Sequence, residues 1–125
     1  MATVLIVDDD AVMRAALSAI VEDAGHRAVA AGSGEDARGL VARAEADLLL
    51  VDIDLPGETG VELIFELRVD GALPEATPIW FVTAHPDRAA PLQAAGMKNV
   101  KVIAKPLDFD DLARRIVRAL GPAAG

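Results

Sequence analysis

The sequence predicts an α/β fold in which a doubly wound, five-stranded parallel sheet is covered by helices on both faces. Two observations support this prediction. Five short apolar runs alternate with segments of helical periodicity, which is typical of right-handed βαβ units. Three of the runs are almost continuously apolar, as expected of parallel strands buried on both faces. A length of 125 residues suits one domain with a hydrophobic core, and we expect residues 1–121 to form it and residues 122–125 to be a frayed tail.

The five strands are expected where apolar and β-branched residues cluster. The first, third and fourth runs are the most apolar, and the second, RAVA, is the weakest. In chain order, the predicted strands are residues 3–7, 27–30, 47–52, 79–83 and 100–104.

Helices are indicated by apolar stripes and by residues that suit helix ends. Ser33 and Asp108 are expected N-caps, Thr59 and Glu62 form a capping-box pattern, and Gly25 is expected to end the first helix, residues 11–24. The residues expected to face the core are Met13, Leu17, Ile20, Val21 and Ala24, then Ala37, Leu40, Val41 and Ala44, then Val61, Ile64 and Phe65, and finally Leu112, Ile116, Val117 and Leu120.

The segment between the fourth and fifth strands does not support a regular helix. It contains Pro86, Pro91 and Gly96, and proline interrupts helical hydrogen bonding. We therefore expect a short or irregular fourth helix in residues 84–99.

Composition excludes several classes of function. The chain has no cysteine, so disulfides, thiolate metal sites and a cysteine nucleophile are excluded, and its two histidines lack the spacing of a zinc motif. A net charge of −8 argues against binding nucleic acid or anionic membrane through a basic patch. The chain start lacks the features of a signal peptide, and no apolar run approaches the roughly 20 residues that cross a bilayer. We therefore expect a cytoplasmic protein.

Polar side chains follow four of the five predicted strands. They are Asp8 and Asp9 after the first strand, Asp52 at the end of the third, Thr83 at the end of the fourth and Lys105 after the fifth. Ligands of doubly wound sheets bind at the carboxyl ends of the strands. Taken singly, the two aspartates would suit a solvated turn, Thr83 an ordinary strand residue and Lys105 a surface lysine.

Together, these side chains indicate phosphoryl chemistry. Converging carboxylates require a cation to stay ionised, and hard oxygen ligands select Mg²⁺ or Mn²⁺. A lysine and a hydroxyl beside such a cation can bind phosphoryl oxygens. An aspartate in this setting is a plausible nucleophile that forms an aspartyl phosphate.

The motifs VLIVDDDAVMR, LLLVDIDLPGETG, FVTAH and VIAKPLDFDDL together resemble the receiver domain of bacterial two-component response regulators. The resemblance covers essentially the whole chain and implies a flavodoxin-like sheet with strand order 2-1-3-4-5. It makes Asp52 the phosphoacceptor, Asp9 a direct Mg²⁺ ligand and Asp8 a ligand that acts mainly through water. It adds the backbone carbonyl of Asp54 as a further ligand.

The resemblance also assigns the remaining site positions. Thr83 would contact the phosphoryl group, and Lys105, joined to Pro106 by a cis peptide bond, would pair with it. His85 lies where receivers tune the access of water to the phosphoryl group. The resemblance assigns no metal-binding role to Asp10, which is expected to cap the first helix.

The sequence departs from the family pattern at three places. Thr59 replaces the usual Asp before Gly60, which changes little because both residues cap helices. Val102 replaces the Tyr or Phe that commonly rotates during switching. The irregular fourth helix and the Phe-x-Thr sequence at 81–83 resemble a receiver subgroup of alphaproteobacterial stress signalling.

The resemblance implies a stand-alone receiver that takes a phosphoryl group from a histidine kinase or a histidine phosphotransfer protein. It would signal to a downstream protein by contact, as a monomer or weak homodimer, without being an enzyme beyond its own phosphorylation and slow dephosphorylation. An alternative is a phosphatase of the haloacid dehalogenase type, since residues 52–54 form its Asp-x-Asp motif, although here the motif follows the third strand. A second alternative is a degenerate receiver that binds a partner without phosphorylation.

Overall fold

The computed structural model describes residues 1–91 and 96–121. Its main sheet has five parallel strands, which are β1 (Thr3–Val7), β2 (Arg27–Ala31), β3 (Leu48–Asp52), β6 (Ile79–Thr83) and β7 (Val100–Ala104). Their order in the sheet is β2-β1-β3-β6-β7. Between β3 and β6, two short strands, β4 (Asp54–Leu55) and β5 (Glu58–Thr59), pair with each other outside this sheet. The predicted order 2-1-3-4-5 of the main strands is therefore confirmed.

Helices cover both faces of the sheet. They are α1 (Ala11–Asp23), α2 (Gly34–Arg43), α3 (Gly60–Val69) and α4 (Phe109–Leu120). Alternate strand residues point to opposite faces, so Leu5 and Phe81 lie in the core cluster under α2 and α3. Val4 and Trp80 lie in the cluster under α1 and α4. Among the described residues, no helix has the length and apolarity needed to span a membrane.

The segment after β6 does not begin with an α-helix. Pro86–Ala89 form a single 3-10 turn with proline at its start. Residues 92–95 lie outside the described residues, and so does the tail predicted to be frayed, 122–125. The helix expected to be short or irregular is therefore tested only in its first part.

Side chains cap α1, α2, α3 and α4 at their N-termini, which confirms the predicted caps. The Asp10 carboxylate accepts the Val12 N–H at 2.9 Å, and three further caps accept the N–H three residues along. Such a cap typically contributes about 1 kcal/mol. The other three capping residues are Ser33, Thr59 and Asp108.

Two of the predicted core residues are wrong. Phe65 is 59% exposed and Val117 is 39% exposed. In α3 the buried positions are Leu63, Ile64 and Leu67. Phe65 follows Ile64 by about 100° around a helix of 3.6 residues per turn, which turns it towards solvent, and Val117 stands in the same relation to the buried Ile116.

Candidate functional site

Three carboxylates meet at the carboxyl edge of the main sheet. Asp8 and Asp9 directly follow β1, and Asp52 ends β3, the strand next to it. One oxygen from each carboxylate can be chosen so that all three lie within 4.8 Å of one another. Asp8 and Asp52 are buried, whereas Asp9 is exposed. The group is therefore open to solvent at Asp9.

Lys105 supplies positive charge to this group. Its Nζ lies 3.5 Å from Oδ2 of Asp52 and 3.7 Å from Oδ2 of Asp8. The Lys105 backbone N–H donates to the Thr83 carbonyl at 2.8 Å, which fixes the start of the chain after β7. The Lys105–Pro106 peptide bond is cis, as the resemblance implied. The lysine thus faces two of the three carboxylates.

The backbone holds Asp8 and Asp52 in position. Oδ1 of Asp8 accepts the Asp10 N–H, and Oδ1 of Asp52 accepts the Asp54 N–H, both at 2.9 Å. Arg14 donates to the Asp8 carbonyl at 2.8 Å. Each strand end is therefore closed by a turn in which the carboxylate bonds to the backbone two residues along.

Burial raises the pKa of the Asp52 carboxyl above its ordinary value. The N–H of Asp54 and the charge of Lys105 oppose this shift, and the charge of Asp8 adds to it. Burial disfavours the charged form of a carboxyl. Ionised Asp52 is therefore held at a cost to folding.

This shift predicts how Asp52→Asn changes stability without added metal. A carboxyl whose pKa is raised by folding contributes most to the free energy of unfolding at pH values below its unfolded pKa. That contribution is lost as the pH rises through the folded pKa. At pH 7 the variant should therefore melt a few degrees above the wild type, and the difference should shrink towards about pH 4. Thermal unfolding at both pH values measures this. A variant less stable than the wild type at pH 7 would contradict it.

Thr83 lies at the end of β6, the strand next to β3. Its side chain is fully buried, and its hydroxyl accepts the His85 N–H at 2.9 Å. The His85 residue itself is exposed. Position 102 is Val in β7, opposite Phe81, where it packs against the core cluster under α2 and α3. The hydroxyl of Thr83 is thus linked directly to the backbone of the segment that follows it.

Three ion pairs near this edge were not predicted from the sequence. Arg88 Nη1 lies 2.8 Å from Oδ1 of Asp54. Arg38 of α2 contacts Glu58 at 2.9 Å and also pairs with Glu66 of α3. All of these partners are at least 20 residues apart in sequence, so periodicity and local motifs carry no signal for them.

The chain is similar to one known protein family along most of its length. The family described as the response regulator receiver domain matches residues 4–117. The sensor histidine kinase AruS of Pseudomonas aeruginosa is 39% identical to this chain, and the match covers 90% of this chain and 11% of that protein. The phosphate regulon transcriptional regulatory protein PhoB of the same species is 32% identical over 96% of this chain and 53% of its own length. The chain therefore spans about half or less of the length of these relatives.

Solved structures are also similar to this chain over nearly its whole length. The chemotaxis protein CheY4 of Vibrio cholerae has a TM-score of 0.83 and 29% identity, covering 96% of this chain and 99% of its own. The response regulator TrrA of Thermotoga maritima, solved with Mg²⁺ and BeF, has a TM-score of 0.79 and 25% identity, covering 96% and 100%. With a family match over residues 4–117, this chain belongs to the response regulator receiver domain family.

Proposed function

We propose that this receiver domain takes up a phosphoryl group on Asp52 within a two-component phosphorelay. The observation that carries the proposal is the position of Asp52, which is buried beside two further carboxylates and lies 3.5 Å from the Lys105 ammonium. The donor would be the phosphohistidine of a histidine kinase or of a histidine phosphotransfer protein. Output would pass to a downstream protein by contact, with the domain acting as a monomer or weak homodimer.

The side chains have distinct tasks in the transfer. An oxygen of the Asp52 carboxylate attacks phosphorus, the bond from phosphorus to the histidine nitrogen breaks, and the leaving imidazole takes up a proton. Lys105 stabilises the charge on the phosphoryl oxygens. The Thr83 hydroxyl, which accepts from His85 N–H, retains its own hydrogen to donate to a phosphoryl oxygen.

The carboxylate group fits a bound Mg²⁺. It offers hard oxygen ligands, one of them solvent-exposed, and Mg²⁺ prefers such oxygens while keeping several waters. Asp9, Asp52 and the Asp54 backbone carbonyl would hold the ion, with Asp8 acting mainly through water; Mn²⁺ would fit the same set. When bound, the ion supplies positive charge that offsets carboxylate repulsion and the charge of the phosphoryl group.

Magnesium should stabilise the fold, and Asp9→Ala should remove this response. Binding only to the folded state adds about 1.4 kcal/mol at ten times the dissociation constant. Thermal unfolding over a range of MgCl₂ concentrations measures the shift in the wild type and the variant. Asp36→Asn, which changes an exposed carboxylate in the first turn of α2, is the matched control and should respond as the wild type does. If Asp9→Ala responds fully as well, the ion binds elsewhere.

The proposed function itself is tested by intact mass after incubation with acetyl phosphate and MgCl₂. The wild type should gain one phosphoryl group. Sustained turnover of p-nitrophenyl phosphate would instead favour a phosphatase of the haloacid dehalogenase type. In the structure, the second aspartate of the Asp-x-Asp motif, Asp54, pairs its carboxylate with Arg88. No gain of mass would favour a receiver that binds its partner without phosphorylation.

We also propose that His85 and Val102 modulate this chemistry. His85 is exposed next to the buried Thr83 and donates its N–H to the Thr83 hydroxyl, so movement of that hydroxyl would reach the 3-10 turn directly. Val102 has no ring to rotate, and its first side-chain torsion is restricted. The signal from Thr83 would therefore leave through the segment that begins at Ala84.

A further inference from the structure

The 3-10 turn Pro86–Ala89 is tied to the candidate site at both ends. At its start, the His85 N–H donates to the Thr83 hydroxyl. Near its end, Arg88 Nη1 donates to Oδ1 of Asp54 at 2.8 Å. Directly after Arg88, Ala89 is 1% exposed and belongs to the core cluster under α2 and α3. The turn is therefore anchored, and Arg88 connects it to the loop that follows β3.

Asp54 is bonded to the candidate phosphoacceptor through its backbone. Its N–H donates to Oδ1 of Asp52 at 2.9 Å, and its side chain is 41% exposed. The Asp54 carboxylate thus stands two residues from Asp52 on the solvent side of the site. The structure gives this carboxylate a cationic partner in Arg88, whose side chain is 58% exposed.

A free carboxylate at this position has a chemical consequence for a phosphorylated Asp52. In hydrolysis, a water oxygen attacks phosphorus, the bond from phosphorus to the Asp52 oxygen breaks, and its electrons return to the Asp52 carboxylate. The water loses a proton, which passes to the departing phosphate or first to a nearby base. A positioned carboxylate is such a base, and general bases commonly accelerate proton transfer by about 10²–10⁴-fold.

We propose that Arg88 is a positioning residue that holds the Asp54 carboxylate away from attacking water and so lengthens the life of the phosphoryl group. This inference rests on the proposed function of Asp52. In the ion pair, an N–H of Arg88 donates a hydrogen bond to Oδ1 of Asp54. The guanidinium thereby fixes the orientation of the Asp54 carboxylate. Without Arg88, the carboxylate is free to turn towards Asp52, to which its backbone is already bonded.

The test measures loss of the phosphoryl group from the full chain. Each variant is loaded with acetyl phosphate and MgCl₂, the donor is removed, and the phosphorylated fraction is followed by intact mass. Arg88→Ala should lose the group about fivefold faster than the wild type, which is the upper limit for releasing a carboxylate from an exposed ion pair. Arg88→Lys retains a cation for the pair and should stay within about twofold of the wild type. Arg114→Ala, which removes an exposed arginine of α4, is the matched control and should leave the rate unchanged.

A second background decides whether Arg88 acts through Asp54. In Asp54→Ala, the further change Arg88→Ala should have no effect on the rate, because the base is already gone. Melting temperatures should change little in these variants, since exposed ion pairs contribute little stability. The role of Arg88 alone is overturned if the double variant loses the group as fast as Arg88→Ala does, or if Arg88→Ala, after normal loading, loses it at the wild-type rate. Failure of the wild type to take up a phosphoryl group overturns the proposed function and, with it, this inference.

Discussion

Replacement of Asp52 by asparagine is expected to abolish phosphoryl uptake from acetyl phosphate. An amide oxygen is a far weaker nucleophile than a carboxylate, and loss of a nucleophile commonly costs about a thousandfold or more in rate. The fold should persist because asparagine keeps an oxygen to accept the Asp54 N–H, now 2.9 Å from Oδ1 of Asp52. Intact mass in the presence of MgCl₂ measures the loss.

The matched control is Asp36→Asn, an exposed carboxylate at the start of α2. It removes the same charge from the chain without touching the carboxyl edge of the sheet, so it should gain one phosphoryl group as the wild type does. Persistent phosphorylation of Asp52→Asn at the wild-type rate would show that another residue is the acceptor.

Gly60→Ala should destabilise the protein by about 3 kcal/mol, the upper end for overpacking a buried site. A Cβ at this position would lie 2.3 Å from the Asp52 carbonyl oxygen and 2.8 Å from Cγ1 of Val51. The Gly60 N–H donates to the Ile53 carbonyl at 2.8 Å, so α3 begins pressed against the end of β3. The helix start or the strand end must move to admit a methyl group, and the melting temperature should fall by about 10 °C.

Gly39→Ala is a control that should stabilise the protein, whereas Gly60→Ala should destabilise it. Gly39 is exposed in α2, and a Cβ there would meet only Nη2 of Arg43, at 3.8 Å. Alanine in a helix interior is favoured over glycine by about 0.5–1 kcal/mol. Thermal unfolding of both variants compares a glycine that lies against neighbouring backbone, Gly60, with a glycine that has space around it, Gly39. Equal stability of Gly60→Ala and the wild type would mean that α3 does not abut β3 as described.

The sequence predicted the positions of the strands and the convergence of their polar ends. This was possible because the runs at β1, β3 and β6 are apolar on both faces, and such runs indicate buried parallel strands. Parallel strands place their carboxyl ends at one edge, so residues as distant in sequence as Asp8 and Lys105 could be assigned to one site before any distance was known. The separation of 3.7 Å between them agrees with that assignment.

The sequence could not predict contacts that depend on long side chains or on small rotations of a helix. The run LIF at 63–65 leaves the orientation of α3 ambiguous by one residue, and Phe65 proved to face solvent. Arg88 lies in a segment without regular periodicity, and its partner Asp54 lies 34 residues away. Only the path of the chain after β6 brings the two together.

The central claim is that Asp52 carries the phosphoryl group, and reductive trapping tests it most directly. Borohydride reduces an acyl phosphate to an alcohol and releases phosphate, so the modified aspartate becomes homoserine. After loading with acetyl phosphate and MgCl₂, peptide sequencing by mass spectrometry should find homoserine at position 52 and aspartate at positions 8, 9 and 54. Homoserine at one of those three positions, with aspartate retained at 52, would contradict the assignment.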